Sequence, residues 1–217
     1  MQTDISFTND VREVLSFLDD DQEMRTTMST DPLIAICLTE DNAELITTPS
    51  LTMPTFALAD GKLVGFIDVN DLHAQLQNVE SEVFQRENYE SSDSPDTSDV
   101  KPILYCVSKS KEAILKWLAD KNIEDPTTIF YIQSLGVRQS CRGRKIGTKL
   151  AEQQLVVLRG LGATHAFVET TGNASRKIFQ KLGFQEINFV NYKQMTADLK
   201  CKPIEDHDGF ATLVITL

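Results

Sequence analysis

The sequence predicts an α/β fold that contains at least one parallel pair of strands. Residues 128–217 carry this prediction, because segments with strand periodicity alternate there with segments of helical periodicity. Strand, helix, strand, helix and strand in succession are typical of a sheet whose helices cross over between parallel strands. A length of 217 residues fits one large domain or two small ones.

The predicted elements of this half follow one another closely. In chain order they are a strand at 128–137 (TIFYIQSLGV), a helix from about Arg144 to Arg159, a strand at 163–170 (ATHAFVET), a helix at 173–183 (NASRKIFQKLG), and two strands, FQEINFVNY and FATLVITL. Glycine is the usual residue after a helix end, so Gly160 and Gly162 are expected to end the first helix and Gly183 the second.

The first half of the chain gives weaker signals. The segments with periodicity are a strand at 3–8 (TDISFT), a helix at 11–18 (VREVLSFL), a β-hairpin at 56–69 turning on Ala-Asp-Gly-Lys, and a helix at 108–122. Residues 77–100 are acidic, rich in serine and contain a proline, which predicts a mobile surface loop.

Composition excludes several classes of partner. The formal net charge is −11 and the pI is near 4.7, so the chain as a whole repels nucleic acid and anionic lipid. We see neither a leader peptide nor an apolar run near ~20 residues, which favours a cytoplasmic protein. Four scattered cysteines without CxxC or zinc spacing favour free thiols, and we expect no metal site. We take a monomer as the default.

One local stretch runs against the acidic balance. Residues 140–150 read SCRGRKIGTKL, and between Pro126 and Ala151 there are five Lys or Arg and no Asp or Glu. The stretch joins a predicted strand to a predicted helix, whose first N–H groups have no partners within the helix and carry partial positive charge. Glycine lets the backbone approach a ligand. The pattern therefore predicts an anion site for a phosphate or pyrophosphate, although neither GxxxxGK[ST] nor GxGxxG is present.

Two runs together resemble a known superfamily. LGVRQSCRGRKIGTKL (135–150) resembles motif A of the GNAT superfamily of N-acetyltransferases, and ETTGNASRKIFQKLGF (169–184) resembles motif B at the matching separation. The resemblance implies a single domain over 1–217. Its fold would be a mixed, mostly antiparallel central sheet with a parallel βαβ unit for acetyl-CoA and helices on both faces.

The resemblance also implies how the acyl donor, acetyl-CoA, is bound. Backbone groups of Leu135 and Val137 would hold the pantetheine arm. The residues expected to supply N–H groups to the phosphates are Arg142, Gly143, Arg144, Lys145, Ile146, Gly147 and Thr148. The family pattern is [QR]xxGx[GA], and Lys145 stands where its middle glycine is expected. We expect φ of Lys145 to be negative, as in the first turn of a helix.

A second departure concerns the proton donor. Many members have a tyrosine in the motif B helix that protonates the leaving thiolate, and Phe179 occupies that place here. Thr171 and Ser175 are hydroxyls four residues apart in the same region, and Ser175 lies close to Asn173, a possible helix cap. This spacing resembles the arylalkylamine N-acetyltransferase branch found in insects, similar to dopamine N-acetyltransferase. Ser175 is then the expected donor and Thr171 its relay partner.

The same branch suggests a general base. FLDDDQEM (17–24) resembles its N-terminal segment, which places Glu23 at the position of the base, with Met24 where the branch has proline. The closing run from Asn191 to Leu217 is also similar, and His207 matches a position near the acceptor.

The resemblance implies acetyl transfer to a primary amine, with an arylalkylamine preferred. The alternatives are a polyamine or small aliphatic amine, a protein lysine, and an inactive regulator that binds CoA.

Overall fold

The structure is a computed structural model that describes residues 5–8, 53–76 and 101–217. Within these residues, seven strands form one sheet in the order β1-β2-β3-β4-β5-β7-β6. The strands are β1 (Ile5–Thr8), β2 (Thr55–Ala59), β3 (Lys62–Asp71), β4 (Ile129–Val137), β5 (His165–Thr170), β6 (Gln185–Asn191) and β7 (Gly209–Thr216). The β4–β5 pair is parallel and the other pairs are antiparallel, so the predicted mixed sheet with a parallel βαβ unit is confirmed.

Helices cover both faces of the sheet. The α-helices whose two ends both lie in the described residues are α1 (Lys101–Asp120), α2 (Ile146–Gly160), α3 (Asn173–Lys181) and α4 (Tyr192–Asp198). Successive side chains of a strand point to opposite faces. In β5, Ala166 and Val168 pack in the cluster that contains α2, whereas Phe167 packs with Ile114 and Leu118 of α1. The predicted two-sided cover is therefore confirmed.

The hairpin predicted at 56–69 is present as β2 and β3. Its two turn residues, Asp60 and Gly61, have φ values of 52° and 71°. Left-handed conformations at both central residues are those of a type I′ turn, which matches the twist of the paired strands and favours Asp-Gly. The strand predicted at 3–8 is confirmed over Ile5–Thr8, where β1 pairs with β2.

Two helix starts differ from the prediction. The helix predicted at 108–122 begins at Lys101, because Pro102 fits the first turn, where its missing N–H leaves no internal bond unmade. Buried residues then recur every four positions, as at Cys106 and Ser110. The helix predicted from about Arg144 begins at Ile146 and ends at Gly160. The helix predicted at 11–18 and the loop predicted at 77–100 lie outside the described residues.

Two local irregularities of β4 shape the middle of the sheet. The pairing of β4 with β3 changes register between Asp68 and Val69, which leaves Gln133 as the extra residue of a β-bulge. The parallel pairing of β4 with β5 ends at Ile132 and Val168, although both strands continue. The two strands therefore part beyond Ile132, and the sheet opens between them.

Among residues 5–8, 53–76 and 101–217, no helix combines the length and apolar character needed to span a membrane.

Candidate active site

A cavity of about 770 Å³ lies where β4 and β5 part. Ile103 and Val107 of α1 line it on one face of the sheet, while Ile146 of α2 and Ile178 of α3 line it on the other. The cavity therefore passes through the sheet. Its volume is within the range of about 300–1,000 Å³ that is usual for small-molecule sites.

One end of this cavity, which we call the cationic end, is formed by basic side chains and the start of α2. Arg142, Lys145, Lys177 and Lys181 line it together with Gly143 and the first α2 residues, Ile146, Gly147 and Thr148. The unpaired N–H groups and the dipole of α2 add to the four full charges. The two lysines of α3 were missed by the sequence analysis, although their spacing of four residues places them on one helix face.

The backbone at Lys145 corrects one prediction. Its φ is +61°, in the left-handed region, and not negative as expected. The residue precedes the first turn of α2 as its N-cap, so helical geometry does not yet constrain it. Gly143 also has a positive φ of 79°. The loop thus keeps the conformation that a glycine would adopt at position 145, and the lysine adopts it at a cost of about 1–2 kcal/mol.

The other predicted phosphate-binding residues differ in their positions. Gly147 is buried, and a Cβ atom there would meet Ile178 Cδ1 at 3.2 Å, so glycine allows the start of α2 to pack closely against α3. Thr148 lines the cavity. Arg144 is exposed and does not belong to the lining of the cavity in the described residues.

Leu135 and Val137, the residues predicted to hold a ligand through their backbone, line the cavity on the part of β4 that pairs with β3 but no longer with β5. The Val137 carbonyl accepts a hydrogen bond from Arg142 Nε at 3.3 Å. This bond connects the strand to the basic loop and orients the Arg142 side chain beside the cavity.

Thr171 and Ser175 are brought together with the cationic end, because both line the same cavity. Ser175 Oγ donates a hydrogen bond to the Gly172 carbonyl at 2.9 Å. The N-cap of α3 is Gly172, and Asn173 is the first helical residue, so the suggested cap at Asn173 is wrong. The Asn173 side chain instead accepts from the Asp208 N–H at 3.1 Å, which joins α3 to the loop before β7.

His207 also lines the cavity. Its Nδ1 accepts a hydrogen bond from the Asn173 N–H at 3.3 Å. This hydrogen bond joins His207 to the first residue of α3.

Two buried aromatic residues lie near Thr171 and Ser175 in the chain or in the fold. Phe179 is buried and packs edge-on against Phe184 with ring centroids 5.1 Å apart, so it forms part of the core and has no proton to donate. Tyr192 is fully buried, and its hydroxyl donates to the Thr171 carbonyl at 2.8 Å. Tyr192 was not among the predicted site residues, since nothing in its local pattern indicates a contact 21 residues away.

The opposite end of the cavity, which we call the Glu169 end, is mainly apolar. It is lined by Ile103, Val107, Tyr131, Glu169 and Phe210. The Tyr131 hydroxyl donates to Glu169 Oε2 at 2.7 Å. Burial raises the pKa of the Glu169 carboxyl, while hydrogen bonds from Ser110 and Tyr131 lower it in part. Burial, together with the charge of Glu169, raises the pKa of Tyr131 well above its usual value.

Glu169 was not among the predicted site residues. Its signal was a single acidic residue in the otherwise uncharged part of the strand AFVET. Glu23, the predicted base, lies outside the described residues, so the structure does not place it.

A comparison with family models matches residues 19–184 to the acetyltransferase (GNAT) family. The chain therefore belongs to the GNAT acetyltransferase family, and the resemblance inferred from motifs A and B is confirmed. No significant match is found among proteins with curated descriptions.

Solved structures with a similar fold include amine acetyltransferases. Arylalkylamine N-acetyltransferase 2 from Aedes aegypti superposes with a TM-score of 0.69 at 16% identity, covering 98% of this chain and 99% of that one. An agmatine N-acetyltransferase gives 0.61 at 19% identity over 99% and 100% of the two chains. A Drosophila melanogaster polyamine N-acetyltransferase gives 0.55 at 19% identity, with the same coverage. At these identities the likeness shows the fold.

Members of the family use acetyl-CoA as the acyl donor. The cationic end fits the phosphates of that molecule. A Cβ atom at Gly143 would meet nothing within 4 Å, so the loop is open above the start of α2. Arg142, Lys145, Lys177 and Lys181 supply positive charge around this opening.

Proposed function

We propose that the protein transfers an acetyl group from acetyl-CoA to the nitrogen of a primary amine, and that this amine is an arylalkylamine. The observation that carries the proposal is the cavity through the sheet, with a cationic end on one face and an apolar end with one carboxyl on the other. Such a passage allows a large anionic donor and a small cationic acceptor to meet from opposite faces.

The cationic end would hold the donor. N–H groups at the start of α2 and the charges of Arg142 and Lys145 bind the pyrophosphate. Leu135 and Val137 lie on the part of β4 that no longer pairs with β5, so backbone groups along this edge are available to the pantetheine arm. The bulge at Gln133 bends the strand at the same place.

The reaction would proceed by direct attack on the thioester. The amine is protonated at neutral pH and must lose a proton first, and we assign Glu23 as the base that accepts it. The C–N bond then forms as the C–S bond breaks, and the nitrogen releases its second proton to water. Backbone N–H groups of β4 would stabilise the negative charge that develops on the carbonyl oxygen.

Ser175 would donate a proton to the departing thiolate. Its hydroxyl lines the cavity and is held by the Gly172 carbonyl at 2.9 Å, from which it can rotate towards the sulfur. Thr171 precedes Gly172 and would return a proton to Ser175, after which a proton from water would restore the Thr171 hydroxyl. Phe179, which occupies the place of the family's tyrosine, is buried against Phe184 and leaves this role to the hydroxyls.

The apolar lining of the Glu169 end favours an arylalkylamine over a polyamine. Ile103, Val107 and Phe210 give an aromatic or alkyl body a surface to bury. A polyamine carries several charges along its length. Among the described residues, Glu169 is the one acidic residue that lines the cavity, which suits an acceptor with a single charge.

The experiment is to measure CoA release with acetyl-CoA and a panel of amines: tryptamine, dopamine, serotonin, spermidine and a lysine-containing peptide. We expect turnover with the three aryl amines and little with the other two. Faster turnover of spermidine or the peptide would overturn the acceptor class. No turnover with any amine, combined with measurable acetyl-CoA binding, would favour the inactive CoA-binding regulator.

A further inference from the structure

We infer that Glu169 binds the ammonium group of the acceptor amine, with Tyr131 as the residue that positions its carboxylate. The inference rests on the proposed function and narrows it, because it names the group that selects a cationic acceptor. It assigns a role to Glu169, the first residue of the run that resembles motif B, which was not among the predicted site residues.

The carboxylate has a fixed position. Tyr131 on β4 donates to Glu169 Oε2 at 2.7 Å, and Ser110 on α1 forms a second hydrogen bond with the carboxyl. Ser110 in turn accepts from Thr212 Oγ1 on β7 at 2.8 Å, and Ser110 and Thr212 are both fully buried. Three elements therefore hold one acidic side chain at the wall of the cavity.

This arrangement leaves Glu169 able to bind one more donor. A carboxylate offers about four lone-pair sites, of which Tyr131 and Ser110 occupy two. Glu169 is partly exposed and lines the cavity, so its remaining sites are open to a ligand there. An ammonium group supplies N–H donors together with the opposite charge.

The apolar surroundings of Glu169 favour a positively charged ligand over a neutral one. Ile103, Val107 and Phe210 lower the local polarity at this end, and attraction between opposite charges is stronger there than in water. An amine gains this attraction, whereas an alcohol of the same shape gains only a neutral hydrogen bond. The geometry therefore favours amines over isosteric neutral molecules.

The position on the strand also suits the reaction. Glu169 precedes Thr171 by two residues, and Tyr131 precedes the bulge at Gln133 by two. An ammonium held by Glu169 lies at the opening between β4 and β5, where the arm of the donor would end. Burial raises the pKa of Glu169, which an approaching cation would offset by favouring the ionised form.

The test is calorimetric binding of tryptamine and of its neutral analogue tryptophol to the protein saturated with CoA. We expect the wild type to bind tryptamine at least about tenfold more tightly than tryptophol. Glu169→Gln should reduce this preference to about twofold or less while acetyl-CoA binding is unchanged. Glu124→Gln, which removes an exposed carboxylate outside the cavity, is the matched control and should keep the wild-type preference.

Tyr131→Phe distinguishes a role of Tyr131 in orienting the Glu169 carboxylate from a role in packing alone. If Tyr131 orients the carboxylate, the variant should lose part of the preference for tryptamine, whereas a packing defect would weaken both ligands equally. An unchanged preference in Glu169→Gln would overturn the inference. A third outcome is that the wild type prefers tryptamine, Glu169→Gln does not, and no turnover is seen. That outcome would refute the acyl transfer but would still support the ammonium site at Glu169.

Discussion

The two ends of the cavity are built in different ways. The cationic end comes mainly from one continuous segment, residues 142–148, with two lysines from α3. The Glu169 end takes side chains from α1, β4, β5 and β7, which are far apart in the chain. The first end relies largely on backbone N–H groups and the second on side chains. Different changes should therefore break each end separately.

The largest expected effect comes from the proposed base. Glu23→Gln should lower kcat by about 10²-fold or more, because the amine then loses its proton acceptor. The Kd for acetyl-CoA should stay nearly unchanged, since the cationic end is intact. Steady-state kinetics and calorimetry check the two parts, and wild-type turnover in the variant would refute the role of Glu23.

The hydroxyl of Ser175 should matter less. Ser175→Ala is expected to lower kcat by about tenfold, because water can replace it in part as the proton donor. Ser108→Ala is a matched control, since Ser108 Oγ also bonds the carbonyl three residues earlier, that of Tyr105, and lies outside the cavity. Equal losses of kcat in the two variants would mean that Ser175 acts only through its local hydrogen bond.

Lys145→Gly tests what the charge and the backbone conformation of Lys145 contribute to the cationic end. Removing one charge near the phosphates should weaken acetyl-CoA binding about two- to fivefold, with a smaller dependence on salt. Relief of the left-handed strain should raise stability by up to about 1 kcal/mol, after the greater backbone entropy of glycine is subtracted.

Lys200→Gly is the matched control for Lys145→Gly. Lys200 also has a left-handed φ of 54° but lies outside the cavity. It should give a similar gain in thermal stability with an unchanged Kd for acetyl-CoA. Tighter binding in Lys145→Gly would contradict the account, because it would show that the lysine side chain hinders the donor.

The smallest expected effect concerns stability at the Glu169 end. The pKa of Glu169 is raised from its usual value of 4.5, so the folded state holds this proton more tightly than the unfolded state. Its contribution to stability is therefore greatest at low pH and is lost as the pH rises through the raised pKa. The Glu169→Gln variant has no carboxyl to ionise at this position. Its free energy of unfolding, relative to that of the wild type, should therefore increase as the pH rises from 4.5.

Thermal unfolding of both proteins across this pH range checks the sign. A difference that is constant with pH, or that shrinks as pH rises, would show that the Glu169 carboxyl is not held in the way described.

The sequence predicted the parts of the molecule that local patterns encode. The hairpin at Asp60-Gly61, the basic loop after β4 and the helix after it all follow from neighbouring residues, and motifs A and B identified the family. The conformation of Lys145 was predicted wrongly, because the residue lies one position before the helix and is not constrained by it. The start of α1 was also predicted too late in the chain, because Pro102 lies in its first turn.

The Glu169 end could not be predicted in this manner. Ser110 and Thr212 are 102 residues apart and Tyr131 and Glu169 are 38 apart, so only tertiary packing brings them together. One acidic residue in a buried strand was the available signal, and its partners depended on which strands become neighbours. The hydrogen bond from Tyr192 to the Thr171 carbonyl also depends on tertiary packing, since the two residues are 21 positions apart.

The most direct test of the passage through the sheet is a crystal structure with CoA and tryptamine bound together. We expect the pyrophosphate at the N–H groups between Gly143 and Gly147, and the tryptamine nitrogen about 3 Å from the Glu169 carboxylate. A structure with CoA bound elsewhere, or with tryptamine on the same face of the sheet as the phosphates, would contradict the account.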